Sequence, residues 1–108
     1  MFAQVVLALL VAVQQPASGF ASFPSAVRHF VHSPQRVTHA VIVGNYGAVL
    51  WSDRYTGGEQ IYQRRGDRWF CLGGGGGVAQ AADLEVLYKI PAPEAQRLVT
   101  ALGSAPGL

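Results

Sequence analysis

Hydrophobic and polar residues alternate most clearly between residues 37 and 72, where short β-branched and aromatic runs are separated by Gly, Asn and Asp. The separating pairs include Gly57-Gly58 and Gly66-Asp67. This pattern is typical of an antiparallel meander, because glycine and asparagine adopt the positive φ values that tight hairpin turns need. We therefore predict three or four short strands that fold back on one another and organise the rest of the chain.

The predicted strands differ in polarity. The run 40–43 (Ala-Val-Ile-Val) is apolar at every position, which predicts a strand covered on both faces. The run 59–64 is more polar and predicts an edge or half-exposed strand. In the last strand Trp69 and Cys71 share one face, because side chains alternate along a strand.

Helical spacing precedes and follows the predicted sheet. The apolar face of the first helix consists of Phe23, Val27, Phe30 and Val31. A second helix after the sheet carries Leu84, Leu87 and Tyr88 on one side. Pro93 opens a third helix, whose predicted core face is Ala95, Leu98, Val99 and Leu102. The predicted fold class is α+β: a short N-terminal helix, an antiparallel β-meander of three to four strands and two short C-terminal helices.

Five consecutive glycines, Gly73–Gly77, separate the meander from the second helix. Ordering such a run costs conformational entropy, so it forms either a mobile glycine-rich loop or a path pressed against other backbone. The run lacks the Gly-Lys-Ser/Thr ending of a phosphate-binding loop. A phosphate site is therefore disfavoured.

Composition agrees with one folded domain. The chain has 108 residues, of which 50% are hydrophobic and 13% charged, enough to bury a core. Its formal net charge is +2, and the basic residues are spread along the chain instead of forming a stripe. This distribution argues against nucleic-acid binding.

The N-terminal sequence has the order of a secretory leader. The apolar run 2–13 is followed by the small residues of 17–21, and cleavage after Gly19 or Ala21 would suit signal peptidase. No Lys or Arg precedes the run, and a buried helix is the alternative. The run is too short to span a bilayer. We predict a signal peptide over 1–21, a single domain over 22–108 without a membrane span, and a periplasmic or secreted location.

Three histidines and the single cysteine are the candidate metal ligands. His29 and His32 lie three residues apart on the polar face of the first helix, and His39 follows near the start of the sheet. Together with Cys71 they could bind copper or zinc. The alternative is a set of solvated histidines and a buried, inert thiol.

The segment Arg54, Tyr55 and Thr56 is the candidate partner-binding loop. It joins two predicted strands and exposes an aromatic and a basic side chain; another envelope protein would be its partner. The alternative is a solvated hairpin loop. No nucleophile–base pair or carboxylate pair stands out, which favours a protein that is not an enzyme.

A longer series of residues carries a resemblance to a known group. The series is Gly44-Asn45-Tyr46-Gly47, Trp51, Gly57-Gly58, Gln63-Arg64, Gly66, Trp69, Cys71, the glycine run, Ile90-Pro91 and Ala95–Leu98. Over about residues 38–102 it resembles small exported bacterial proteins, some of which are labelled copper uptake system-associated protein. The group usually has valine where this chain has Ile90. The resemblance implies an exported small domain and a link to copper, and it carries over no catalytic residue.

The sequence thus predicts a small secreted or periplasmic binding or accessory domain without catalysis. The alternative function is copper or zinc binding through surface histidines.

Overall fold

An antiparallel sheet of four strands lies at the centre of residues 15–108, the part of the chain that the structure, a computed structural model, describes. The strands are β1 (Arg36–Val43), β2 (Tyr46–Ser52), β3 (Gly57–Arg65) and β4 (Arg68–Gly76). The helices of this region are α1 (Phe23–Phe30), α2 (Ala81–Tyr88) and α3 (Ala92–Ser104). One helix precedes the sheet and two follow it, so the predicted α+β fold is confirmed. Most of the predicted leader, residues 1–14, lies outside the described residues.

Each strand pairs with its neighbour in sequence, in the order β1-β2-β3-β4. Two of the hairpins are tight, with Val43 opposite Tyr46 and Arg65 opposite Arg68. Gly44 and Gly66 stand in these turns with φ of 59° and 65°. Only glycine adopts such angles without a steric cost, which is why these positions punctuate the sequence.

Helix α1 packs on one face of the sheet, which we call the α1 face. Its N-terminus is fixed by a capping box in which Ser22 and Ser25 exchange hydrogen bonds. The buried residues on this face are Phe23, Ala26, Val27, Val31, Val49, Tyr62, Trp69 and Cys71. The Phe23 ring packs edge-on against Tyr62, with 5.3 Å between their centroids.

Helices α2 and α3 cover the opposite face, which we call the α2–α3 face. Its buried residues are Ala48, Ile61, Leu84, Ile90, Ala95, Leu98 and Leu102. The predicted core face of α3 is confirmed at its three buried positions, and Val99 is partly buried. Leu87, which the helical spacing places on the same side of α2 as the buried Leu84, is 65% exposed.

The third strand lies in the interior of the sheet, so the prediction of an edge or half-exposed strand over 59–64 was wrong. Ile61 and Tyr62 are fully buried, and Glu59 is only 4% exposed. The reason is its position: β2 and β4 flank β3, and helices cover both of its faces.

The first strand is less covered than its apolar sequence predicts. Ala40 is exposed and Ile42 is 53% exposed. Both lie on the α1 face, since Ala40 pairs with the buried Val49. Helix α1 contacts β4 and leaves this part of β1 uncovered.

The glycine run continues β4 through Gly76, where it pairs with β3. A Cβ on Gly74 would collide with the carbonyl oxygen of Glu59 and the side chain of Gln60. Of the two forms that the sequence allows, the structure therefore shows backbone pressed against backbone.

Residues 15–20 lie along the outer edge of β4. The N–H groups of Phe20 and Trp69 donate to each other's carbonyl oxygens, both at 2.8 Å. The carboxamide of Gln15 accepts from the Cys71 N–H at 2.9 Å and donates to its carbonyl oxygen at 3.0 Å. This segment thus satisfies the outward backbone groups of β4 at two positions.

No helix within residues 15–108 combines the length and hydrophobicity that a bilayer-spanning helix needs.

Candidate functional site

A cleft of about 290 Å³ lies between the glycine-rich end of β4 and helix α2. We call it the Glu59 cleft. Its lining residues are Glu59, Gly74, Gly75, Gly76, Gly77, Val78, Ala79, Asp83, Leu87 and Tyr88.

The glycines create the space of this cleft. Gly75 pairs with Glu59 across the β3–β4 ladder, so the Glu59 side chain and a Cβ on Gly75 would point to the same face of the sheet. A Cβ placed on Gly75 would meet no atom within 4 Å. The volume that a β4 side chain would occupy next to Glu59 is therefore open.

The carboxyl of Glu59 is buried and only half satisfied. Its Oε1 accepts a hydrogen bond from the Ala79 N–H at 3.1 Å. Its Oε2 is buried and has no hydrogen-bond partner among residues 15–108. Burial raises the pKa of Glu59, and the Ala79 bond opposes this only in part. A buried polar atom without a partner is uncommon in folded proteins, which makes this position a candidate ligand contact.

A half-buried tyrosine stands beside this carboxyl. The Tyr88 ring approaches the β4 backbone, since a Cβ on Gly73 would lie 2.9 Å from Tyr88 Cε1. Burial raises the pKa of Tyr88, and the nearby Glu59 carboxylate adds to this effect, so the phenol is protonated at neutral pH. Tyr88 therefore brings an aromatic ring and a neutral hydroxyl to the cleft.

The charged residues that line the cleft are acidic. Asp83, in the first turn of α2, accepts a hydrogen bond from the Gln80 N–H through Oδ2 at 3.0 Å. With Glu59 it gives the cleft two carboxyl groups, and no Lys, Arg or His is among the lining residues that the structure describes. The rim is apolar: Val78 is 61% exposed, and Leu87 is likewise mostly exposed. A ligand that complements this site is positively charged at one end and apolar along its stem.

The predicted partner-binding loop lies at the same end of the sheet. Asp53 Oδ1 accepts hydrogen bonds from the N–H groups of Tyr55 and Thr56 at 2.8 and 2.9 Å, and these bonds lower the pKa of Asp53. Tyr55 is 88% exposed, and Arg54 is exposed next to it. The next residue links this loop to the glycine run, because the Gly57 carbonyl oxygen accepts from the Gly77 N–H at 3.3 Å.

The predicted metal ligands lie on different elements. His29 is exposed on α1, with its ring 5.0 Å from Phe20, and His32 is exposed just beyond that helix. His39 lies on β1, and its Nδ1 is 3.1 Å from Thr38 Oγ1. Within residues 15–108, no three His, Cys, Asp or Glu side chains group together as a metal ion requires. The fold therefore does not gather the predicted ligands.

Cys71, the fourth predicted ligand, is buried in β4. Its Sγ lies 3.5 Å from Gln60 Oε1. Burial raises the pKa of Cys71 to about 11, so the group is a thiol at neutral pH. A protonated thiol is a poor nucleophile and a poor metal ligand.

Sequence reasoning missed Glu59 and Tyr88 as site residues. The available signal was the spacing of Glu59 and Ile61, which lie two residues apart on one strand. This spacing places the carboxyl on the same face of the strand as a fully buried residue. The helical spacing of α2 placed Tyr88 on the same side as Leu84, and the structure shows Tyr88 partly buried against the core of the α2–α3 face.

Comparisons with family models, with curated proteins and with solved structures find no match to this chain. The resemblance to copper uptake system-associated proteins therefore stays a prediction from the sequence.

Proposed function

We propose that this protein is a non-catalytic binding domain whose Glu59 cleft takes a protonated amine on an apolar stem. The observation that carries the proposal is the buried Glu59 Oε2, which has no hydrogen-bond partner among residues 15–108 and lies at a cleft that opens to solvent. A cationic ligand supplies the missing hydrogen-bond donor and the opposite charge together.

The energetics favour this ligand class. A buried carboxylate with an unpartnered oxygen is costly, and burial accordingly raises the pKa of Glu59 despite the bond from Ala79. An ammonium group beside Oε2 stabilises the charged form, since hydrogen bonds to charged groups contribute about 1.5–3 kcal/mol. The face of the Tyr88 ring can add a cation–π interaction with the ammonium group.

The surroundings support binding over catalysis. The cleft offers one buried carboxyl, and the cysteine is protonated and lies on the opposite face of the sheet. Val78 and Leu87 give an apolar rim of the kind that recognises a ligand stem.

An exported setting is part of the proposal. The leader-like order of residues 1–21 supports a periplasmic or secreted protein. Another envelope protein that contacts the loop with Tyr55 is the proposed partner.

Calorimetric titration with n-butylammonium chloride at pH 7.5 tests the function. We expect binding that weakens at least ~10-fold in Glu59→Gln, the equivalent of about 1.4 kcal/mol. Glu85→Gln is the matched control, because it makes the same charge change at an exposed position of α2 outside the cleft. Absence of binding to the parent protein, or equal binding by both variants, would overturn the proposal.

A further inference from the structure

Among residues 15–108, no strand covers the outer edge of β4 next to the Glu59 cleft. β4 is the last strand in the sheet order, so one of its edges faces away from β3. Gln15 and Phe20 occupy that edge at Cys71 and Trp69. Within residues 15–108 no strand continues this pairing along 73–76.

The register shows which backbone groups point outward. The Gly77 N–H donates toward β3, to the Gly57 carbonyl oxygen. Because backbone groups alternate sides along a strand, those of Gly74 and Gly76 point away from β3. Both residues are exposed. Neither carries a side chain, so a second backbone can approach closely.

We propose that this edge takes an extended peptide as a fifth strand, and that one of its lysine side chains enters the Glu59 cleft. The inference rests on the proposed function and names the source of the amine. Gly74 and Gly76 supply the strand pairing, and Glu59 supplies the counter-charge. This combination of main-chain pairing with a side-chain pocket is a known mode of peptide recognition.

The dimensions fit a long side chain. Strands in a sheet are about 4.8 Å apart, so a fifth strand lies roughly 10 Å from β3. An extended lysine and the Glu59 side chain together bridge that separation. Alternate side chains of the added strand project to the α2–α3 face, where the cleft opens.

The hydrogen bonding selects lysine over arginine. Oε1 of Glu59 is already bonded to Ala79, which leaves Oε2 as the open acceptor. Lysine presents a compact ammonium group that suits one acceptor, whereas arginine favours both oxygens of a carboxylate.

A second copy of the chain does not meet these requirements. The chain contains a single lysine, Lys89, which follows α2 and lies on no strand. The β4 strand of a second copy offers Arg68 at one end and glycines at the other. The occupant is therefore a different polypeptide with lysine in an extended, apolar-flanked segment.

Calorimetric titration with matched probes tests this inference. The first probe is an acetylated, amidated pentapeptide, Thr-Val-Lys-Val-Thr. The second replaces lysine by norleucine, the third carries N-methyl groups on the two amides that flank lysine, and the fourth is n-butylammonium. We expect the lysine peptide to bind at least ~10-fold more tightly than each of the other three, because only it combines strand pairing with the ammonium group.

A double-mutant cycle combines the change of lysine to norleucine in the peptide with Glu59→Gln in the protein. This variant should bind the lysine and norleucine peptides equally, because the counter-charge is gone. Equal affinity for n-butylammonium and the lysine peptide, or unchanged binding of the N-methylated peptide, overturns the inference and leaves the proposed function intact. If neither amine nor peptide binds, both proposals fail.

Discussion

The Ala79 N–H donates to Oε1 of Glu59 at 3.1 Å, and this bond joins the segment before α2 to the interior strand β3. The same carboxyl leaves Oε2 buried without a partner among residues 15–108. One oxygen therefore fixes the wall of the cleft, and the other is the atom that we propose binds the ammonium group of the ligand.

Stability should depend on pH through Glu59. Burial raises its pKa above the ordinary value of 4.5. A raised acid pKa contributes stability that is fully present below pH 4.5 and is lost as pH rises through the folded-state pKa. We expect the parent protein to lose stability relative to Glu59→Gln between pH 4 and pH 8, as measured by urea denaturation.

Burying the amide of Glu59→Gln costs the same free energy at every pH. Comparing the stabilities of the parent and the variant at pH 4 and pH 8 therefore isolates the effect of the Glu59 charge. The exposed Glu85→Gln change should shift stability relative to the parent much less across the same range. A parent-to-Glu59→Gln difference that is equal at pH 4 and pH 8 would contradict the raised pKa.

Gly74 and Gly75 form a matched pair of substitution sites. Gly74→Ala places a Cβ against the Glu59 carbonyl oxygen and 2.5 Å from Gln60 Oε1, so we expect a loss of about 1–3 kcal/mol. Gly75→Ala meets open space and should change stability by about 0.5 kcal/mol or less. Thermal or urea unfolding measures both. Equal effects of the two variants would contradict the strand register of the glycine run.

Gln15 should contribute to stability from outside the sheet. Gln15→Ala removes two hydrogen bonds to the backbone of Cys71, and we expect a loss of about 1–2 kcal/mol. Gln96→Ala, at an exposed position of α3, is the control and should change stability by less than about 0.5 kcal/mol. Urea unfolding of the full chain is the measurement. If both variants unfold like the parent, residues 15–20 do not hold the edge of β4. Cleavage after Ala21, as the leader prediction has it, would remove these contacts from the mature protein.

The thiol of Cys71 should be inert in the folded protein. Its pKa of about 11 and its burial keep it protonated at pH 8. We expect a disulfide reagent such as 5,5′-dithiobis(2-nitrobenzoate) to label it at least ~100-fold more slowly in the folded than in the urea-unfolded protein. Rapid, stoichiometric labelling of the folded protein would show an exposed thiolate and revive the cysteine as a metal ligand or nucleophile.

Local sequence signals were enough for the elements of the fold. Gly44 and Gly66 mark turns because their φ values are positive, which is a local property of the backbone. Ala95, Leu98 and Leu102 lie on one helical face and are buried as their spacing predicts.

The candidate site depends on packing between elements that are distant in sequence, which local sequence patterns do not encode. Because Glu59 is polar, the local sequence predicts an edge or half-exposed position for it. Its burial is instead decided by the neighbouring strands and by α2. Leu87 fits the apolar spacing of a helix but lies at the rim of a cleft that the glycines of β4 leave open. The separation of His29, His39 and Cys71 likewise follows from the packing of α1 and the sheet.

The ionisation of Glu59 during ligand binding tests the central claim most directly. Carbon-13 NMR of the labelled Glu59 carboxyl, titrated with and without saturating n-butylammonium chloride, reports its pKa in both states. Because a cation beside Oε2 stabilises the carboxylate, we predict a clear downward shift of this pKa when the amine is bound. A pKa of Glu59 that does not change at saturation would contradict the assignment of this carboxyl as the ligand's partner.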